Sequence, residues 1–450
     1  MLHADSVFKK DSIAKALLLA AAAVLSSCAP SDPLQQQAEE FVELALSVGI
    51  GNPDEIDAWF GPAALDPRGA NSTAVPPEEL LADAKALLAD IETLAPALTS
   101  AAESQRSAKL ERRVEKFIVL LETLAMPKAL SFADEALQLY DITLPAMPLS
   151  VEEQQALMDA IEALLPGQGT LAFRVAALQN RLVVPPDKRV AVFERALAEC
   201  RARTLAHWDL PADEQITLEW TRDVASAWHR YEGDNRSTLQ INSLALPFVG
   251  SALDVACHEG YPGHHAQFVL MENATAPEPL NVEDQLALLR SPESVLREGA
   301  ANYGVEMAFT AEERLAFERD VLFPLAGLSP ELAGQHADVQ KLVGRLSAGV
   351  IPLLQQYRDG TLSFNSATFD LEREALVSSP SALLQYVDKF GAYSVGYTVA
   401  KTRLQDHIDH SGKDPWTELR RILVESDVTV LQTPDANGAS AVPTSAAVAP

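Results

Sequence analysis

The chain has 450 residues, with 35 Lys+Arg against 63 Asp+Glu and a formal charge of −28. Hydrophobic residues make up 48% and charged residues 22%, which excludes a disordered chain and leaves ample material for a core. The acidic balance excludes nucleic acid as a partner, because phosphate binding needs clustered Lys and Arg. Three Cys are too few for a disulfide scaffold.

The first residues read as a targeting segment rather than as fold. Lys9, Lys10 and Lys15 flank a ten-residue apolar run, Ala16 to Leu25. That run is too short for a bilayer span, which needs about 20 residues, but suits a signal-peptide core. It ends in Leu25-Ser26-Ser27-Cys28, which resembles a bacterial lipobox. The expectation is a lipoprotein signal peptide over 1–27, a lipidated Cys28 and a tether over 28–32. The mature protein is then lipid-anchored in the bacterial cell envelope, facing the periplasm, with the outer membrane as the expected location. Residues 1–27 carry three Lys and two Asp, so the acidity belongs to the exported part and can steer basic substrates. Cys200 and Cys257 are expected as two buried free thiols, with pairing as the alternative.

Most of the chain has helical spacing of its apolar residues. Residues 34–48, 78–94, 101–125, 150–165 and 187–207 read as helices, the second opened by Pro76-Pro77. Ser150 with Glu153 has capping-box spacing. Asp57-Ala58-Trp59-Phe60-Gly61-Pro62 reads as a short helix ending in a turn. Strand signals are few: 216–220 and 237–242 alternate. Helices resume over 292–309, 311–322, 330–358, 367–377, 380–390, 393–409 and 415–425. The expected fold is mainly α, with a small β-sheet next to the active-site helix. An N-terminal helical region covers 33–210, a catalytic region 211–432, and an Ala/Ser/Pro/Thr-rich disordered tail 433–450.

The chemistry concentrates at residues 257–265, Cys-His-Glu-Gly-Tyr-Pro-Gly-His-His. Three of the nine His fall within eight residues, beside a Glu. Ser251 and Asp254 have capping-box spacing, which predicts a helix starting at Ala252. Imidazoles with a carboxylate suit zinc, and Glu259 directly after His258 has the position of a general base. Pro262 stands where a second helical ligand would lie and must kink or end the helix. In a straight helix His265 would face the same way as His258 but about 10 Å further along. A Pro-Gly bend can bring either imidazole back. His264 is the preferred second ligand, and His265 then supports the ligands or faces the substrate. Glu298 is the candidate third ligand, on a helix opened by Ser291 and Pro292. Gly299 beside it allows close backbone approach, and Asn302 lies one turn on, on the same face.

His-Glu-x-x-Pro-Gly-His-His, followed by Glu-Gly-x-Ala-x-Tyr at 298–303, resembles the bacterial family called domain of unknown function 885. Tyr393-Ser394-Val395-Gly396 is similar to a third family element, and 57–62 to an N-terminal feature of one branch. The chain departs from the pattern at Ala300, where Trp is common. Its acid after Tyr303 falls at Glu306, one place later than usual, and the chain is shorter than many members. The family is similar to gluzincin-type zinc metallopeptidases with a mainly helical fold.

The resemblance and the motif together imply a zinc-dependent peptidase with one zinc per chain, held by His258, His264 and Glu298. Glu259 is the expected general base, acting on a metal-activated water. Tyr393 is the expected donor to the oxyanion, and His265 a further catalytic candidate. The substrate is a peptide or a small amide. Residues 237–242 are a candidate edge for an extended peptide, with an internal strand as the alternative, and Asn242 a candidate polar contact. The competing functions are a non-catalytic envelope lipoprotein that binds a partner, and a metal hydrolase acting on a non-peptide amide. Retention of Glu259 favours an enzyme, because a closed structural zinc site has no use for it.

Overall fold

A computed structural model of the chain describes residues 32–432, apart from 70, 146–148, 223–226, 243–247 and 277–279. The expected signal peptide, the lipidated Cys28 and the expected tail lie outside the described residues. The fold is 68% helical with small sheets, as the apolar spacing predicts. No helix among the described residues is long and apolar enough to cross a membrane.

The N-terminal helices Pro33–Gly51, Pro77–Leu94 and Ala101–Ala125 pack on one another. Capping boxes start the third of these and Val151–Leu164: Ser100 with Glu103, and Ser150 with Glu153. Each box satisfies two backbone donors that a helix start leaves open. Two further helices, Phe132–Tyr140 and Leu171–Asn180, start at the N-caps Ser131 and Thr170 and pack on later parts of the chain. One apolar core runs from Leu34 to Leu431 without a break at residue 210. Burying each Leu or Phe fully in it contributes about 1.5–3 kcal/mol.

Two small sheets flank the motif. Strands β1 (Ile56–Trp59) and β5 (Leu286–Leu288) pair antiparallel. Strands β2 (Gln215–Thr221), β3 (Ala227–Gly233) and β4 (Arg236–Asn242) form the other, in the order β2-β4-β3. The strands expected at 216–220 and 237–242 are β2 and β4, and β3 is an additional strand between them in the chain. Strand β4 is central, parallel to β2 and antiparallel to β3, so both its edges are taken and it offers none to a peptide. A small apolar cluster of Ala58, Tyr231, Phe268, Val269 and Ala287 ties both sheets to the helix that carries His264.

Several local expectations change. Asp57 to Trp59 lie in β1, not in a short helix, because β5 supplies a pairing partner more than two hundred residues away. The motif helix starts at Val249, not at Ala252, with Phe248 at its N-cap. Asp254 is drawn into an ion pair with Arg314 at 2.7 Å instead of a capping box. Gly391–Tyr397 is a 3-10 segment, and the α-helix begins only at Val399. Finally, Cys200 and Cys257 are bonded rather than free. Helices Arg189–Leu205 and Val249–Glu259 pack together and bring their Cα atoms to 5.4 Å, within the range a disulfide spans.

Candidate metal centre

The motif folds as two helices separated by a turn. The first, Val249–Glu259, ends with His258-Glu259, and the second, His264–Glu272, begins after four intervening residues. Pro262 has no N–H to continue the first helix, as its position in the motif predicts. Its peptide bond to Tyr261 is cis. The turn closes on itself: Gly263 N–H donates to the Cys257 carbonyl at 3.0 Å, and Ala266 N–H to Gly260 at 3.1 Å. Glycine is required at 263, since a Cβ there would stand 1.7 Å from the His258 carbonyl oxygen.

This turn replaces the long separation of a straight helix with a contact. The rings of His258 and His264 are 4.8 Å apart, edge to face. Glu298 completes the group from helix Pro292–Ala308, which Ser291 caps and Pro292 opens. Its Oε1 lies 3.2 Å from His258 Nε2 and its Oε2 3.6 Å from His264 Nε2. The three candidate donor atoms all fall within 4.8 Å of one another. Two ligands on one tetrahedral ion with bonds near 2.0 Å stand about 3.3 Å apart, so the group fits a small divalent ion. His258, His264 and Glu298 are therefore a set that can hold a metal.

Glu298 is braced from behind. Asn302 donates its amide to Glu298 Oε1 at 3.3 Å and to its carbonyl at 2.9 Å. The Tyr393 hydroxyl reaches Oε2 at 3.3 Å and shares a hydrogen bond with Ser294 at 3.1 Å. Tyr393 is thus buried behind the ligand, with its hydroxyl engaged, and is not a free donor aimed at a substrate. Gly299 lets the backbone at Ala400 and Lys401 approach: a Cβ there would meet both at 2.9 Å. Glu306 pairs with Lys401 at 2.6 Å.

Burial pushes the Glu298 carboxyl up, but the two imidazoles, by charge and hydrogen bonding, hold it well below the carboxylate range. Burial pushes His258 down, and Glu298 more than offsets this, raising the imidazole to about 9. Glu259 sits half-buried among these groups. Burial raises its carboxyl, His258 and His264 lower it, and Glu298 and Asp57 raise it further.

His265 belongs elsewhere. Its Nε2 meets Glu214 at 2.9 Å and its Nδ1 meets the Ser237 hydroxyl at 2.8 Å. Ser237 also bonds His229 at 2.8 Å, and Glu214 takes Arg201 at 2.6 Å and the Tyr261 hydroxyl. The side chains of His265 and Glu214 are both 0% exposed. Burial raises the Glu214 carboxyl, but His265, Tyr261 and Arg201 bring it down to about 2. His265 is a fastener between the second motif helix and the three-stranded sheet, removed from any substrate.

Residues without an assigned role also gather here. Tyr397 stacks near His258, at 6.5 Å between ring centres, and its hydroxyl meets that of Tyr386 at 3.2 Å. The signal for these was present in the sequence: three of the eight Tyr fall within 386–397. Asp57 and Arg297 face each other beside the triad, with 3.6 Å between Nη2 and Oδ2. No family model, no curated protein and no solved structure matches the chain.

Proposed function

We propose that the protein is a zinc-dependent peptidase, with the metal held by His258, His264 and Glu298. The observation that carries this reading is Glu259: a half-buried carboxylate beside the triad that is not part of it. A site that only stabilised the fold would be closed by protein ligands and would not keep a free base in reach. When bound, zinc supplies Lewis acidity, which polarises a carbonyl and acidifies water. Glu259 takes a proton from the attacking water on its carboxylate and delivers it to the leaving amine nitrogen, as the carbon–nitrogen bond breaks. Burial raises its carboxyl above the ordinary carboxylate value, which favours a group that must both accept and return a proton. The hydroxyl pair of Tyr386 and Tyr397, half-exposed beside His258, supplies the donor that negative charge on the carbonyl oxygen needs. Asn302 and Tyr393 keep Glu298 oriented.

Export and lipidation at Cys28 form part of the same proposal. The Cys200–Cys257 bond supports it, since such bonds persist in oxidising compartments. The functional test is metal analysis of the protein together with a Glu259→Gln variant in a peptide-library cleavage assay. The expected result is about one zinc per chain, with cleavage reduced by about 10²–10⁴ in the variant and metal retained. Metal bound with no cleavage of peptides or amides would support a binding lipoprotein instead.

A further inference from the structure

The segment Gly391–Tyr397 reaches the metal centre at three points. The Tyr393 hydroxyl meets Glu298 Oε2 at 3.3 Å, and the Tyr397 ring stands 6.5 Å from that of His258. Between them the backbone passes so close to Glu298 that a Cβ at Gly396 would lie 2.9 Å from its Cγ. A small displacement of this segment therefore moves a support of the ligand and a hydroxyl beside His258 together.

The hold on this segment comes from far away in the chain. Gly391 ends helix Pro380–Phe390 at a positive φ of 59°. The next N–H, of Ala392, opens the 3-10 segment, where a first donor has no partner of its own. Glu135, on helix Phe132–Tyr140, takes it: Ala392 N–H donates to Oε1 at 3.1 Å. The carboxylate lies so close to the chain that a Cβ at Gly391 would collide with it. The same helix meets the segment a second time, with the Tyr140 ring 6.4 Å from that of Tyr393, edge to face.

Glu135 is only 1% exposed, and the cation opposite does not close on it. Arg358 Nη2 stands 3.6 Å from Oε2, outside hydrogen-bond reach. An ion pair this loose offsets little of the cost of burying a carboxylate, and an apolar side chain of similar volume would pack there at lower cost. Burial accordingly pushes the Glu135 carboxyl above its ordinary value, despite the Ala392 N–H, Arg358 and Arg290. What an apolar side chain cannot do is accept the buried Ala392 N–H, which would be left unpaired. The acceptor oxygen, rather than the charge, is the part of Glu135 that the segment uses. We propose that Glu135 is a positioning residue for the reaction: by fixing Ala392 it places Tyr393 against Glu298 and the Tyr397 hydroxyl beside the reacting carbonyl. This rests on the peptidase reading, in which the Tyr386–Tyr397 pair serves the carbonyl oxygen.

The test compares two substitutions in the full-length zinc-loaded protein. Glu135→Gln keeps an acceptor oxygen at the same reach and removes the charge. Glu135→Asp keeps the charge and withdraws the oxygen by about 1.5 Å, one carbon–carbon bond. Both are read for kcat and KM on a peptide that the wild type cleaves, for zinc affinity by competition with a chelator, and for the urea unfolding midpoint. The expected result for Glu135→Asp is a kcat lower by about 10- to 100-fold with KM little changed, because a misplacement of about 1 Å costs that much. Its zinc affinity falls about 10-fold, as Tyr393 no longer orients Glu298. Glu135→Gln keeps kcat and zinc affinity close to the wild type, whatever its unfolding midpoint. Equal effects of the two substitutions on kcat and zinc affinity overturn the proposal, and so does an effect of Glu135→Asp confined to the unfolding midpoint. A Glu135→Gln protein more impaired than Glu135→Asp also overturns it, and makes Glu135 a charge partner of Arg358. The peptidase reading is scored separately, by whether the wild type cleaves peptides at all, and the zinc-affinity comparison does not depend on cleavage.

Discussion

His264 and His265 are adjacent in the chain and occupy two opposite kinds of environment. His264 turns to the partly open triad with His258 and Glu298, its side chain 15% exposed. His265 turns inward to Glu214 and Ser237, with none of its side chain exposed. One side of the turn is a set of donors converging on a point. The other is a closed chain of hydrogen bonds in which each polar atom already has a partner. What separates a ligand from a fastener is thus not residue type or spacing but whether a neighbouring element has satisfied the ring. The two sides depend on each other, because the fastened helix start is what aims His264.

The largest effect is expected where the metal side is cut. His264→Ala should abolish stoichiometric zinc binding, measured by metal analysis after dialysis, whereas His265→Ala should keep about one zinc per chain. The disulfide secures the other motif helix, Val249–Glu259, closing a loop with a sequence separation of 57. Losing it in a Cys200→Ala, Cys257→Ala protein should cost about 4 kcal/mol by the chain-entropy relation, read from chemical unfolding. Loss of zinc affinity alongside would show that the bond also places His258.

Glu214→Gln breaks the fastener by turning one of its two acceptor oxygens into a donor, so that Arg201 and His265 no longer both have an acceptor, and should cost about 1–3 kcal/mol. The pH dependence has a definite sign here. The Glu214 carboxyl is held at about 2 in the fold, below its ordinary value of 4.5. Its contribution is therefore full above about pH 4.5 and is lost as pH falls from there toward about 2. A urea series at pH 7 and pH 3 should show a smaller gap between Glu214→Gln and the wild type at pH 3. The smallest effect belongs to Tyr393→Phe, which removes one support from Glu298. Zinc affinity should fall about 10- to 100-fold, by competition with a chelator, with stability little changed.

The parts of this arrangement that local chemistry decides were legible from the sequence. Pro262 cannot continue the helix that carries His258, Ser150 caps with Glu153, and Ser291-Pro292 starts the Glu298 helix. The approach of His264 to His258 follows from that break, whereas Glu298 joins them through the packing of its helix on the motif helix. What depends on distant partners was not legible. Asp57 to Trp59 became a strand because of Leu286–Leu288, and Asp254 left its expected cap for Arg314. Cys200 and Cys257 bonded because two helices packed, which no spacing of thiols predicts. The inward turn of His265 needed Glu214 and Ser237, neither of which stands out among its kind in the sequence.

The central claim is that one of two adjacent histidines holds a metal and the other holds the fold. It is tested most directly by titrating zinc into metal-stripped wild-type, His264→Ala and His265→Ala proteins by calorimetry. The account predicts about one site in the wild type, none in His264→Ala, and a retained site in a less stable His265→Ala. A site that survives His264→Ala and disappears in a folded His265→Ala would contradict it.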